Sequence, residues 1–89
     1  MLIYAEGQFT ARPQDRPDGA EESQAAQALL ADGSLVHAFI KTDLSGVFLV
    51  MEAESLAAAD EIIAALPYAA DGTLVFELST VKDLFPKAA

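Results

Sequence analysis

The sequence predicts one α+β domain over residues 1–89, with the element order strand, helix, strand, strand, helix, strand. Three observations lead to this fold class. Four apolar segments alternate with a period of two, and two others repeat their apolar residues with the period of a helix. Glycine and proline separate several of the segments. This order is the split β-α-β arrangement, in which the first and third strands form the centre of the sheet and the helices cover one face.

The first half begins with a strand over Leu2–Phe9, which alternates after an apolar start. Residues 10–19 are the most loop-like stretch, because prolines and a glycine interrupt them and no periodicity remains. A helix is expected over Ala20–Asp32, since two glutamates in its first turn suit the positive end of the helix dipole. Gly33 is well placed to end this helix.

The middle of the chain predicts a hairpin. Residues 35–42 and 47–53 form the second and third strands, and the loop sequence Asp-Leu-Ser-Gly over residues 43–46 joins them.

The last third of the chain predicts a second helix and a final strand. Ser55 is a natural N-cap for a helix over residues 56–66, and Pro67 ends that helix because it disfavours helical geometry in its predecessor. The last strand covers residues 73–81, and a short tail with polar and aromatic residues follows.

Composition excludes several function classes. Five basic residues against fourteen acidic ones give a formal charge of −9, which disfavours nucleic acid and anionic membrane surfaces as partners. The chain has no cysteine and a single histidine, so disulfides, thiolate catalysis and a multi-histidine metal site within one chain are excluded. No apolar run approaches the roughly 20 residues of a membrane span, and the acidic start is unlike a signal peptide. We therefore expect a soluble cytoplasmic protein.

The small size of the chain favours a homodimer. A chain of 89 residues buries only about 60–65% of the surface that its unfolded form exposes, and 18 of these residues are alanine. Alanine adds little buried area per residue, so a second subunit would help to cover the sheet.

Strand alternation divides the sheet into two faces. The more uniformly apolar face, assigned to the helices, holds Ile3, Ala5, Gly7, Phe9, Val36, Ala38, Ile40, Val47, Leu49, Met51, Leu74, Phe76 and Leu78. The opposite face, here called the open face, holds Leu2, Tyr4, Glu6, Gln8, Leu35, His37, Phe39, Lys41, Phe48, Val50, Glu52, Val75, Glu77 and Ser79. Because this second set mixes aromatic and ionisable side chains, it predicts a small-molecule cavity, with Tyr4, Glu6, Phe39, Lys41 and Phe48 as ligand-binding residues.

The hairpin register suggests a histidine–carboxylate pair. If Thr42 and Val47 close the hairpin, His37 lies directly opposite Glu52, with Cβ atoms about 4.5–5.5 Å apart. Such a carboxylate would fix the tautomer of the imidazole ring and make it a better base.

From Gly33 onward the chain resembles the muconolactone isomerase family, within the dimeric α/β barrel (ferredoxin-like) group. The matching residues are Gly33, His37, Glu52-Ala53-Glu54-Ser55 and Leu66-Pro67 with Tyr68 close behind. The similarity covers about fifty of the 89 residues, and much of it is shared by other small barrels, including YCII-related proteins and cofactor-independent monooxygenases.

The resemblance implies a four-stranded antiparallel sheet with two helices on one face, paired into a homodimer. It also implies cofactor-free proton transfer on a lactone or another cyclic carbonyl compound. His37 matches a family histidine and would be the base or acid, and Glu52 matches an acidic position that would orient it. The family has several basic and aromatic residues along the second strand, whereas Lys41 is the only nearby cation in this chain.

Two other functions and several structural interpretations stay open. The protein could be a non-catalytic binding or accessory dimer, or a cofactor-independent monooxygenase acting on an aromatic substrate. His37 is also compatible with a half-buried strand histidine, Tyr4 with an interface residue, and Glu52 and Lys41 with solvated charges. Arg12 and Arg16 belong either to a solvated loop or to one that closes over an anionic ligand.

Overall fold

The computed structural model describes residues 1–87. Its strands are β1 (Leu2–Phe9), β2 (Leu35–Ile40), β3 (Gly46–Glu52) and β4 (Leu74–Val81), and its helices are α1 (Ala20–Asp32), α2 (Leu56–Ala64) and α3 (Pro67–Ala70), with a 3-10 turn over Pro13–Asp15. The strands form one sheet in the order β2-β3-β1-β4, and all three neighbouring pairs are antiparallel. The predicted ferredoxin-like arrangement, with the first and third strands in the centre, is confirmed.

Local signals set the ends of both long helices. Gly33 ends α1 in the left-handed conformation, with φ at 85°, where a residue without Cβ has no steric penalty. Ser55 caps α2, because its hydroxyl accepts a hydrogen bond from the amide of Ala58.

The prediction of one helix over residues 56–66 is wrong at its end. Helix α2 ends at Ala64, and Leu66 is extended before Pro67 begins the separate helix α3. Proline suits the first position of a helix, because its φ is already helical and its missing N–H would have no partner there. Pro67 therefore ends one helix and starts the next, which turns the chain towards β4.

The core lies between the sheet and α2. Its buried members are Ile3, Ala5, Leu35, Leu49, Met51, Ala59 and Ile63. Helix α1 has no buried residue and packs against this cluster through the partly buried Ala26 and Leu29. The alanine-rich α1 therefore covers its part of the sheet less completely than α2 does.

A bulge at the start of β2 corrects the predicted faces of two residues. Leu35 pairs with Met51 and His37 pairs with Val50, which leaves Val36 as the extra residue. Leu35 consequently faces the helices and is 3% exposed, whereas Val36 is 42% exposed. Strand alternation without a bulge predicts the reverse, with Leu35 on the open face and Val36 under the helices.

The hairpin between β2 and β3 closes at Lys41 and Gly46, one residue earlier on each strand than the predicted pair of Thr42 and Val47. The amide of Lys41 donates to the carbonyl of Gly46 at 2.9 Å, so the loop is residues 42–45. A turn from Lys41 to Leu44 starts this loop, and the Asp43 carboxylate accepts hydrogen bonds from the amide and hydroxyl of Ser45. These local bonds set a register that differs by two residues from the predicted one.

Within residues 1–87, no helix has the length and apolar character needed to cross a membrane.

Candidate functional site

The open face presents its side chains in rows that run across the sheet. One row consists of Phe39, Phe48, Glu6 and Glu77, the next of His37, Val50, Tyr4 and Ser79, and a third of Glu52, Leu2 and Val81. Strand alternation places these residues on the side away from the helices. The structure thus brings five of the seven predicted site residues onto two adjacent rows. Glu52 is in the third row, and Lys41 follows β2 at the hairpin end.

Aromatic rings form the floor of this face. The rings of Tyr4 and Phe48 stack with centroids 6.0 Å apart at an angle of 18°. The rings of His37 and Phe39 stack in the same way, at 5.9 Å and 21°. Offset stacks of this kind offer a flat apolar surface on which a ring compound can pack.

Tyr4 is held in its neutral form. Desolvation raises the pKa of its hydroxyl above the ordinary 10.0, and the negative charge of Glu6 raises it further. Tyr4 therefore keeps its proton at neutral pH and can donate a hydrogen bond to a ligand oxygen.

A cavity of about 300 Å³ lies at the hairpin end of the open face. Its polar lining includes Glu6, Gln8, Lys41 and Glu77, and Phe48 adds an aromatic wall. Glu6 lies directly opposite Glu77 across β1 and β4, which places two carboxylates side by side. The cavity therefore combines one cation, two anions and an aromatic ring, and it is large enough for a small ring compound.

The predicted opposition of His37 and Glu52 is wrong. His37 lies opposite Val50, and Glu52 lies opposite Leu2 on the other neighbouring strand. The Glu52 carboxylate instead accepts a hydrogen bond from the amino terminus of Met1. The imidazole and this carboxylate are in different rows because the pairing register of β2 and β3 differs by two residues from the predicted one.

The ionisable residue that shares a row with His37 is Tyr4. One strand separates them, so their Cα atoms are about 10 Å apart, given about 4.8 Å between neighbouring strands. A five- or six-membered ring can lie between two side chains at this spacing. Tyr4 was predicted as a ligand-binding residue, but its position facing His37 depends on a register that the sequence pattern did not distinguish.

The two arginines of residues 10–19 are bound within the protein. Arg16 stacks on the ring of Phe9 at 3.5 Å and donates to the carbonyls of Ala11 and Leu44. Arg12 forms an exposed ion pair with Asp15 at 2.9 Å. Arg16 thereby ties the loop to the β2–β3 hairpin.

A second, apolar cavity of about 360 Å³ lies between the sheet and helices α1 and α3. We call it the helix-side groove and define it by Ala26, Leu29, Ala38, Ile40, Val47 and Leu49. Sequence reasoning missed it, because Ala38 and Ile40 fit the pattern of residues buried under helices. In the structure both are exposed, since α1 leaves this part of the β2 edge uncovered.

Among residues 1–87, no cluster of three or more histidine, cysteine, aspartate or glutamate side chains is arranged to hold a metal ion.

Comparison with solved structures finds the same fold in two enzymes. Muconolactone isomerase superposes with a TM-score of 0.75 and 16% identity, over 100% of both chains. The 5-chloro-2-hydroxyhydroquinone dehydrochlorinase TftG of Burkholderia phenoliruptrix, in complex with 2,5-dihydroxybenzoquinone, gives a TM-score of 0.68 and 20% identity, over 92% of this chain and 94% of that one.

A search of curated proteins finds no match. The model of the YCII-related domain family matches residues 4–84, which is nearly the whole length of the chain. The sheet order and the structural matches agree with a muconolactone isomerase-like ferredoxin fold. The chain therefore belongs to the YCII-related domain family.

Proposed function

We propose that two copies of this chain pair through their open faces and enclose a site for a small ring compound with a carbonyl group. The observation that supports this most is the composition of the open face, where stacked aromatic rings and ionisable side chains share adjacent rows. A purely solvated face has no need of the aromatic rings, and a dry interface has no use for the charges. We also propose that the protein works in the cytoplasm.

We further propose that the site catalyses proton transfer without a cofactor. The neutral imidazole of His37 takes a proton from the carbon next to the carbonyl, and the electrons of that C–H bond form the enolate. The Tyr4 hydroxyl donates a hydrogen bond to the enolate oxygen, which stabilises the charge as it develops. Where a ring C=C bond is conjugated with this enolate, the imidazolium returns the proton to the far carbon of that bond. The double bond then moves next to the carbonyl, so no other reactant is consumed.

The remaining predicted residues have supporting parts in this proposal. Phe39 and Phe48 pack against the ring of the ligand, and Glu6 and Lys41 contact its polar groups at the hairpin end of the face. Glu52 has no part in the proton transfer, because its carboxylate is bound to the amino terminus of Met1.

The folds of the two similar enzymes support the substrate class only in general terms. One enzyme is named for muconolactone, and the other was solved with 2,5-dihydroxybenzoquinone. Both compounds are oxygenated rings. At 16% and 20% identity the likeness is one of fold, so the chemistry of this chain must be tested directly.

The test is isotope exchange. Lactones and cyclic ketones are incubated with the protein in deuterium oxide, and loss of the signal of the proton next to the carbonyl is followed by NMR. His37→Ala should reduce the enzyme-dependent rate by about 10²–10⁴-fold, the usual contribution of a general base. Glu54→Gln, which changes an exposed charge beyond β3, serves as the control. Exchange that survives His37→Ala would show the mechanism to be wrong.

One observation favours the non-catalytic alternative. The register separates His37 from Glu52, so the imidazole lacks the orienting carboxylate that the sequence predicted. A binding or accessory dimer would retain ligand at the aromatic rows and catalyse no exchange. Ligand-induced shifts of the Tyr4 and Phe48 resonances, without deuterium incorporation for any bound compound, would support this alternative.

A further inference from the structure

The C-terminal tail, defined as residues 82–87, presents two large apolar side chains to solvent. Leu84 is 79% exposed and Phe85 is 86% exposed. They are adjacent in an irregular segment that follows β4. Neighbouring exposed apolar side chains of this size mark a surface that another surface covers.

The helix-side groove is an apolar surface without a cover. It encloses about 360 Å³ between α1, α3 and the sheet. It opens at the β2 edge, where Ile40 is 54% exposed although its strand position faces the helices. The groove and the tail therefore present complementary apolar surfaces.

The tail of a protomer is too short to reach the opening of its own groove. Strands β2 and β4 are the two edges of the sheet, so they lie about 14 Å apart at about 4.8 Å per strand. Ile40 is level with Phe76, five residues before Val81, which adds about 17 Å along the strand direction. The diagonal from Val81 to Ile40 is thus about 22 Å, whereas the four residues from Val81 to Phe85 span at most about 14 Å.

The charges of the tail and of the rim of the helix-side groove are also complementary. The tail contains Lys82 and Lys87 and one acid, Asp83, so its net charge is +1 in a chain whose net charge is −9. Glu22 lies in the lining of the groove, and Glu21 is beside it in the first turn of α1. A basic segment with an apolar centre suits an apolar groove that has an acidic rim.

We infer that the tail of one copy lies across the β2 edge of a second copy, with Leu84 and Phe85 in the helix-side groove of that copy. The tail of each protomer then covers the part of the other protomer's sheet that α1 leaves exposed. The contact also holds the end of β2, next to Phe39 and Lys41, so the partner's tail borders the candidate site. This inference concerns a different surface from the open face and is tested separately from ligand binding.

Disulfide cross-linking tests the inference, because the natural chain has no cysteine. Phe85→Cys is placed in one tagged chain and Ile40→Cys in a second chain with another tag, and the mixture is oxidised. Leu56→Cys on α2, whose side chain is 41% exposed and outside the groove lining, is the matched control for Ile40→Cys. Circular dichroism establishes that each variant keeps the native fold.

The expected result is a mixed disulfide dimer with Ile40→Cys at a yield at least about tenfold above that with Leu56→Cys. Equal yields, or no mixed dimer from folded variants, would overturn the inference. A chain with both Phe85→Cys and Ile40→Cys provides a further check. If it forms its disulfide within one chain, the tail folds onto its own groove and the second copy is not the occupant.

Self-association gives an independent readout. The double change Leu84→Ser and Phe85→Ser should raise the dimer dissociation constant by at least about tenfold, measured by sedimentation equilibrium. Leu30→Ser replaces an exposed leucine of α1 that is outside the groove lining and should leave this constant unchanged. A double variant that dimerises like the natural protein would contradict the inference.

Discussion

Tyr4 connects the electrostatics of the open face to its proposed chemistry. Its hydroxyl is desolvated and lies on the same strand face as Glu6, and both effects raise its pKa. The same two causes that keep the proton on Tyr4 make it a hydrogen-bond donor for an enolate oxygen. An ionised tyrosine beside Glu6 would repel that oxygen.

The titration of Tyr4 gives a residue-scale prediction. In a Tyr68→Phe background, which leaves Tyr4 as the only tyrosine of the chain, absorbance should report a midpoint above pH 10. Glu6→Gln should lower this midpoint by removing the like charge, while Gln8→Glu should not lower it. A midpoint that is insensitive to Glu6→Gln would show that the two groups do not interact.

The stability consequence of this pKa has a definite sign. The unfolded chain loses the Tyr4 proton near pH 10, whereas the folded chain holds it to higher pH. Unfolding is therefore favoured by rising pH from about 10 upward, and the effect is absent at neutral pH. Urea unfolding between pH 9 and 11 should show a steeper loss of stability for the natural protein than for Tyr4→Phe.

At the scale of elements, the β2–β3 hairpin sets which side chains of the open face meet. A Cβ on Gly46 would lie 2.6 Å from the carbonyl oxygen of Gly7, a contact with backbone that cannot move aside easily. Glycine at this position allows β3 to approach β1 closely where the hairpin closes. The sequence pattern could not supply the register, because a shift of two residues keeps every side chain on the same face.

Gly46→Ala should therefore destabilise the protein and disturb the hairpin. We expect a loss of about 1–3 kcal/mol in the free energy of unfolding, the usual cost of overpacking. The nuclear Overhauser contact between Phe39 and Phe48 should weaken as well. Ser45→Ala, one residue earlier in the loop, should leave that contact in place, and an unaffected Gly46→Ala variant would argue against the close approach.

Three aspartates stabilise turns by the same local device. Asp32, Asp43 and Asp71 each accept a hydrogen bond from the backbone amide two residues later, on Ser34, Ser45 and Thr73 respectively. Hydrogen bonds from the side chains of Ser45 and Thr73, and then from their amides, lower the pKa of the Asp43 and Asp71 carboxyls below the ordinary 3.8. For Asp32 the amide of Ser34 lowers the pKa most and its side chain less. Each aspartate lies at a turn that leads into or between strands of the sheet.

Acid should therefore weaken these turns together. Because the unfolded carboxyls take up protons near pH 3.8 and the folded ones only at lower pH, stability should fall as pH decreases below about 4. A triple variant with Asp32→Asn, Asp43→Asn and Asp71→Asn cannot titrate at these positions. Its thermal unfolding temperature should fall less between pH 4 and pH 2 than that of the natural protein. Parallel declines in the two proteins would contradict the assignment.

At the scale of the whole molecule, much of the fold could be predicted from local patterns. The bounds of β1 and α1 were predicted to the residue, because alternation, acidic first-turn residues and Gly33 all agree there. Local patterns do not predict which of two adjacent apolar residues faces the core, as at Leu35 and Val36. The bulge at Val36 therefore exchanged the predicted faces of Leu35 and Val36.

The sequence predicts which face of the sheet holds the candidate site. It does not predict which residues of that face lie opposite one another. Strand alternation predicts that one side of the sheet mixes aromatic and ionisable residues, and the structure places Tyr4, Phe39 and Phe48 there. Which of these residues oppose each other depends on where the hairpin closes. The turn bonds at Asp43 and the close approach of Gly46 to Gly7 of β1 determine that position together. The helix-side groove likewise results from incomplete coverage by an alanine-rich helix, which no short sequence window displays.

Sedimentation velocity of the natural chain and of Val50→Asp tests most directly whether a second copy covers the open face. Val50 lies on that face between His37 and Tyr4 and outside the core, so the charge should spare the fold of the monomer. We predict a dimer of twice 9.4 kDa for the natural chain and a folded species of 9.4 kDa for Val50→Asp. Sedimentation of both proteins as the same species would contradict the claim that the open face is the dimer interface.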